Sequence, residues 1–374
     1  MGDGMRIGVM TFFESDNYGT VLQAYALQAY LEKLGHSVQL IQLKRNVHAK
    51  GEQREGKKRN PSFSKRFWGM VVRKIHDHDD ERKKKNFATF RRDFLYITEK
   101  LYPDGETLAE DLEQFDLIIS GGDQIWNPYH KVFSYDYMCR FLPSDFQRIS
   151  YGSSFGVEKI GDENIFLQMK EQLAKYQILL VREESGVKIL HSMGLRAEQV
   201  VDPVFLDKSL WNKFITPDSP FKGSYGVIYA LVDYPDSDDA RIHSYAKAKG
   251  LKLVILPENR RNCMTTYRKR FSLSPQEFVN YIAHCEVVFT NSFHGMAFGL
   301  LMGKKIVMLN TCTEEARMKK IRLTDMLHRF EVRNYELDCL ENEYSCNYEI
   351  MSAFIKKSRR LFDGALAGER ITND

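Results

Sequence analysis

The stretch "TNSFHGMAFGLLMGKKIVML" (290–309) decides the fold. Together with the preceding "VVF" it reads as an apolar strand that stops at Asn291, Ser292, His294 and Gly295. It passes at once into a run spaced for a helix over 295–302, and then into a second strand, "KIVMLN". A strand, a short polar turn, a helix and a strand again make one β-α-β unit, which implies a parallel sheet. The turn carries the chemistry, because free backbone N–H groups and the positive end of the helix would lie beside an imidazole, a place where an anion is stabilised. The plainer alternative is that Asn291 or Ser292 caps the helix and His294 fills space.

Working outward, the same plan recurs. "MRIGVMTF" (5–12), the loop "FESDNYG", the helical "TVLQAYALQAYLEKLGH" and the strand "SVQLIQL" form an opening unit, with Gly35 as the helix stop. "FDLIISGGDQIWNP" (115–128), "RISYGSSFG" (148–156) and "QILLVREESG" (177–186) continue the series. Beyond Pro220 come "YGVIYALV", a helix around 239–249, "LKLVILP" and a helix at 275–284, leading back to the opening stretch. Pro203, Pro217 and Pro220 place a boundary near 205–222. We therefore expect an α/β protein of two doubly wound, Rossmann-like domains facing a cleft: 1–210, with a basic insertion at 44–100, and 211–345. A C-terminal helix in 346–374 would pack back on the first domain. In such sheets ligands sit beyond the C-terminal ends of the strands, so the polar residues after each strand are the candidates.

Composition agrees. The 374 residues, 43% hydrophobic and 28% charged, suit a two-domain globular chain. There is no run long enough to span a bilayer. The N-terminal "MGDGMRIGVMTFF" enters a strand pattern without a signal-like segment, and the six cysteines form no C-x-x-C pair, so a cytoplasmic location with free thiols is expected. Between 44 and 92 stand 17 Lys/Arg against 6 Asp/Glu, an excess of 11 in a chain whose total is +4, which leaves the remainder at −7. This segment reads as a mobile insertion or solvated helical arm, with peripheral contact to an anionic membrane at the inner face as a further possibility; no nucleic-acid role is expected. Its "HDHDD" (76–80) reads as a solvated loop, and no metal site is expected. The chain has no G-x-x-x-x-G-K-[ST], no G-x-G-x-x-G and no H-E-x-x-H.

Three further places can bind. In "SGGDQIWNP" the glycines let the backbone approach a ligand, while Asp123, Gln124, Trp126 and Asn127 offer hydrogen bonds and a flat apolar face suited to a sugar. The same stretch also reads as a glycine turn with a buried tryptophan. Asn17 and Gly19 in "SDNYGT" repeat the strand, loop and helix geometry, or are ordinary capping residues. Arg182 ends the buried strand "ILLV", where an unpaired charge is expensive, so it meets either a ligand carboxylate or phosphate or an acid of the chain, Glu183, Glu184 or another.

Taken together, "GVMTFFESDNYGTVLQAYALQAYL", "DLIISGGDQIWNP", "ISYGSSFG", "VREESGVKILHSMGL", "VVDPVFL" and the 290–309 stretch resemble the polysaccharide pyruvyl transferase family from about residue 5 to 330. The resemblance implies a fold similar to the glycosyltransferase-B arrangement. It also implies transfer of a pyruvyl group from phosphoenolpyruvate, the donor substrate and not a resident cofactor, to a sugar of a glycan or lipid-linked oligosaccharide as a cyclic ketal. His294 then corresponds to the family histidine and is the candidate acid, or binds the phosphate as an imidazolium. Arg182, Asn291, Ser292 and Gly295 would serve the donor, and Asn17, Gly19, Asp123, Gln124, Trp126 and Asn127 the acceptor. Where relatives often carry R-L-H, this chain has "SFH", so Arg317 or Arg322 from "EEARMKKIRLTDML" would supply the missing cation. A nucleotide-sugar glycosyltransferase of the same fold and a noncatalytic glycan-binding protein are the alternatives.

Overall fold

The computed structural model describes residues 4–44, 80–257, 268–269, 273–312 and 323–369. Two parallel sheets organise it. The first has strand order β2-β1-β3-β4-β5-β6, from β1 (Arg6–Met10), β2 (Ser37–Leu40), β3 (Leu117–Ser120), β4 (Arg148–Ser153), β5 (Ile178–Val181) and β6 (Glu198–Gln199). The second has order β11-β10-β7-β8-β9, from β7 (Tyr225–Ala230), β8 (Lys252–Pro257), β9 (Arg268–Lys269), β10 (Val287–Thr290) and β11 (Lys305–Met308). Every strand pair is parallel, as in Val9↔Ile119 and Val288↔Ile306, so the connections are crossovers, as through Tyr18–Lys33 between β1 and β2 and Phe293–Leu301 between β10 and β11. The strands β3, β5 and β10 are buried on both faces and read as continuous apolar runs for that reason.

The helix α1 (Tyr18–Lys33) differs from a one-sided amphipathic helix. Leu22, Tyr25, Ala26 and Tyr30 are buried as their spacing predicts, but so are Val21, Gln23, Ala24, Leu27 and Gln28. A helix buried all round has structure on every side. Tyr18 stacks on Phe278 of α7 (Pro275–His284) with centroids 4.6 Å apart, and Tyr25 meets Trp211 edge-on at 5.7 Å. Tyr30 stacks on Phe362 of a C-terminal helix (Tyr348–Leu366), its hydroxyl donating to Asp363 at 2.9 Å. One apolar core thus runs from the first sheet through α1 into the second. The C-terminal helix is anchored on the first sheet's side. Its Ser358 accepts from the Val201 N–H at 3.0 Å, and its Arg359 donates to the Leu206 carbonyl.

The basic segment holds a correction. Residues 45–79, including "HDHDD" except its last residue, lie outside the described residues. The part over 80–94 is a helix, α2, and it is not a solvated arm. Phe87 and Phe90 are wholly buried, Phe94 packs beside them, and Arg91 pairs with Asp16 at 3.0 Å. Phenylalanines three and four residues apart make a stripe that α1 covers.

Candidate active site

His294 is the second residue of α8 (Phe293–Leu301) and is 4% exposed. Ser292 caps that helix, accepting from the Gly295 N–H at 3.3 Å, and its own N–H donates to the Thr290 hydroxyl at 3.0 Å. Asn291 turns away: its side-chain carbonyl accepts from the Leu231 N–H at 2.8 Å and its amide donates to the Val232 carbonyl at 2.9 Å, which fixes the loop after β7. At Gly295 a Cβ would lie 2.4 Å from the Thr290 hydroxyl oxygen, so the glycine lets α8 close onto the strand end. Ser292, Asn291 and Gly295 thus build the turn that presents His294.

The imidazole crosses to the first sheet's side. Its Nδ1 face lies against Gly19, in the first turn of α1, where a Cβ would sit 2.1 Å from Nδ1. Its Nε2 lies 3.5 Å from Asp202 Oδ2, an ion-pair distance longer than a hydrogen bond, and Nε2 has no hydrogen-bond partner. Asn17 caps α1, accepting from the Thr20 N–H at 3.2 Å.

Arg182 follows β5 and is buried with its charge satisfied. It donates to Asp202 Oδ2 at 2.9 Å, to Asp123 Oδ1 at 2.8 Å, to Glu183 Oε1 at 3.0 Å and to the Ser154 hydroxyl at 3.2 Å. Its guanidinium also stands over the Phe293 ring, 4.1 Å from the centroid. Burial alone would lower its pKa, yet Asp123, Glu183 and Asp202 together raise it above the ordinary value. Burial pushes the Asp202 carboxyl up, but His294 and Arg182 prevail and hold it below the usual carboxylate range. Arg182 is therefore the counter-ion of three acids and not an open grip for a donor anion, the neighbouring-acid reading of its sequence.

The remaining candidates divide. Asp123 keeps a quarter of its side chain exposed at the strand ends. Gln124, at φ 52°, accepts from Asn127 Nδ2 at 2.9 Å, and Asn127 also caps the Tyr129 N–H at 3.0 Å. Trp126 offers no face to a sugar. It is fully buried, its indole N–H shared by the Ser120 hydroxyl and the Tyr137 carbonyl, both at 3.1 Å, between Phe155 and Tyr176. Arg317 and Arg322 lie outside the described residues.

Three participants were not singled out from sequence: Asp202, Ser154 and Phe293. Asp202 had a signal, an aspartate before proline after a strand in "VVDPVF". Ser154 had another, since "GSSFG" (152–156) is G-x-S-x-G. Its hydroxyl donates to Glu183 and accepts from Arg182, so the spacing produces a structural serine and not an acyl-transfer nucleophile. Beside this network, a cavity of about 20 Å³ bounded by Arg182, Gln199, Asp325 and Arg329 has room for a water but not for a substrate.

Comparison with known proteins bears on the fold and the family separately. Among solved structures, UDP-GlcNAc 2-epimerase from Neisseria meningitidis, bound to UDP-GlcNAc, superposes with a TM-score of 0.51 at 10% identity, covering 97% of this chain and all of that one (100%). A putative UDP-N-acetylglucosamine 2-epimerase from Listeria monocytogenes gives 0.51 at 11% identity, covering 99% and 100%. The enzyme from Methanocaldococcus jannaschii, in complex with UDP-GlcNAc and UDP, gives 0.50 at 11%, covering 97% and 100%. At such identity the likeness establishes the glycosyltransferase-B-like fold alone. No curated protein matches. The sequence itself matches the polysaccharide pyruvyl transferase family over residues 17–313, a span that holds Gly19, Asp123, Arg182, Asp202 and His294, and the chain belongs to that family of transferases.

Proposed function

We propose that this protein transfers the pyruvyl group of phosphoenolpyruvate to a hydroxyl pair on a sugar of a glycan or lipid-linked precursor, forming a cyclic ketal and releasing inorganic phosphate. The observation that carries the reading is the convergence, within the family match, of His294 from α8 with Asp202 and Arg182 at the ends of the first sheet's strands. Protonated His294 gives its proton to the methylene carbon of the enol, and positive charge develops at the adjacent carbon. One sugar hydroxyl adds there and passes its proton to Asp123, the partly exposed carboxylate of the cluster. Phosphate then leaves with its bonding electrons and carries away the Asp123 proton, and the second hydroxyl closes the ring as its proton returns to His294. Three carboxylates around one guanidinium suit a reaction that passes through a cation and an acceptor rich in hydroxyls. The anionic donor needs further cations, and Arg317 and Arg322 are the residues proposed for it.

A nucleotide sugar is a poorer fit at the second sheet. The helix after β7, Asp236–Ala248, carries Asp236, Asp238 and Asp239 in its first turn, and these repel a diphosphate from that helix end. No described helix is long and apolar enough to cross a membrane, and we propose action in the cytoplasm on precursors at the inner membrane face. Titration with phosphoenolpyruvate is expected to show binding that survives in Asp123→Asn, with turnover lost in His294→Ala. Binding of a UDP- or GDP-sugar in place of phosphoenolpyruvate would overturn the proposal.

A further inference from the structure

Which nitrogen of His294 carries the reacting proton is set by what holds the other. We infer that Asp202 is the positioning residue of this histidine, holding its Nε2–H so that Nδ1, the nitrogen facing Gly19, is the one that exchanges a proton with substrate. The inference deepens the pyruvyl-transfer reading and rests on it for the identity of the substrate.

The geometry makes the dependence one-sided. Asp202 would stay in place without the histidine: Oδ1 accepts the Val204 N–H at 3.1 Å, Oδ2 accepts Arg182 at 2.9 Å, and Pro203 follows it into a short 3-10 turn. His294 has no comparable anchor. Its Nε2 is buried without a hydrogen-bond partner, 3.5 Å from Oδ2, a gap that a small inward movement closes to a charge-assisted bond. The carboxylate is pre-set and the imidazole conforms to it. On the opposite side the ring packs against the backbone of Gly19, where any Cβ would stand 2.1 Å from Nδ1, so α1 leaves the imidazole just the place in which Nε2 faces Asp202. The two residues also come from opposite sheets, so the pairing brings the acid into line when the units meet across α1 and α8.

The test is nitrogen NMR of the His294 ring in the full-length protein, assigned by the signals lost in His294→Ala, with phosphate-release kinetics alongside. The expected result is an Nε2–H tautomer in the neutral ring, and ring nitrogen shifts that move in Asp202→Asn. That variant is isosteric and keeps an acceptor for the Val204 N–H, and its kcat is expected to fall at least about tenfold with KM for phosphoenolpyruvate within about threefold. An Nδ1–H tautomer in the wild type, or ring shifts indifferent to Asp202→Asn, overturns the inference. If Asp202→Asn does not fold, the wild-type tautomer decides alone. Failure of the wild type to release phosphate with any acceptor, the ring signals being as expected, overturns the pyruvyl-transfer reading and supports the positioning of His294 by Asp202.

Discussion

Replacing Gly19 with alanine tests the central contact of the site. The backbone at Gly19 is helical, and alanine there would gain up to about 1 kcal/mol over glycine. Its Cβ, however, would stand 2.1 Å from Nδ1, 2.4 Å from Cγ and 2.8 Å from Cε1 of His294, distances at which something must move. The ring has little room, with Asp202 at Nε2 and Phe293 edge-on at 5.2 Å. Overpacking of this kind costs about 1–3 kcal/mol, so with the full helical gain set against it Gly19→Ala should lower stability by a net of up to about 2 kcal/mol. In a His294→Ala background the clash vanishes and the same substitution should be neutral or stabilising by up to about 1 kcal/mol, which makes the pair strongly non-additive. Urea denaturation of the four proteins measures the cycle. Additive behaviour, with Gly19→Ala equally harmless in both backgrounds, would refute the packing of His294 against α1.

Other outcomes follow from the same network. Arg182→Met leaves three carboxylates without their counter-ion and should cost about 3–5 kcal/mol by denaturant titration, whereas a loss under about 1 kcal/mol would mean that the acids do not depend on it. Asp202 has a depressed folded pKa, so its stabilising contribution is present above the unfolded carboxylate value of about 3.9 and is lost as pH falls through the folded one. Asp202→Asn should accordingly flatten the acid limb of a stability–pH curve, and an unchanged limb would count against the pairing. Trp126→Phe loses two buried hydrogen bonds of the indole and should cost about 1–3 kcal/mol while leaving the acceptor KM within about twofold; a large KM rise would return Trp126 to the acceptor site.

The architecture was legible because parallel strands buried on both faces leave apolar runs, and each run here ends in a polar turn followed by a helical period. Helix 275–284 is legible to the residue, since Ser274, Pro275 and Glu277 form a capping box with proline at the first position. The histidine and the loops beside it were visible for the same reason. The partners were less so. The dependence of Arg182 on Asp123 and Asp202, 59 and 20 residues away, exists only once the four strands β3 to β6 lie side by side. Trp126 misled because an aromatic among amides in a glycine loop has the composition of a sugar site, and only the fold shows that its N–H is satisfied inside the core. The 80–94 helix was obscured by charge: its net basic count conceals two phenylalanines that point into α1.

Phosphate release from phosphoenolpyruvate, measured across β-galactosyl, mannosyl and N-acetylhexosamine acceptors with mass spectrometry for the pyruvyl adduct, tests the central claim most directly. The account predicts release that depends on an acceptor, an adduct on that sugar, and loss of both in His294→Ala. Release and adduct formation unchanged in His294→Ala, or no release and no phosphoenolpyruvate binding in the wild type, would contradict it.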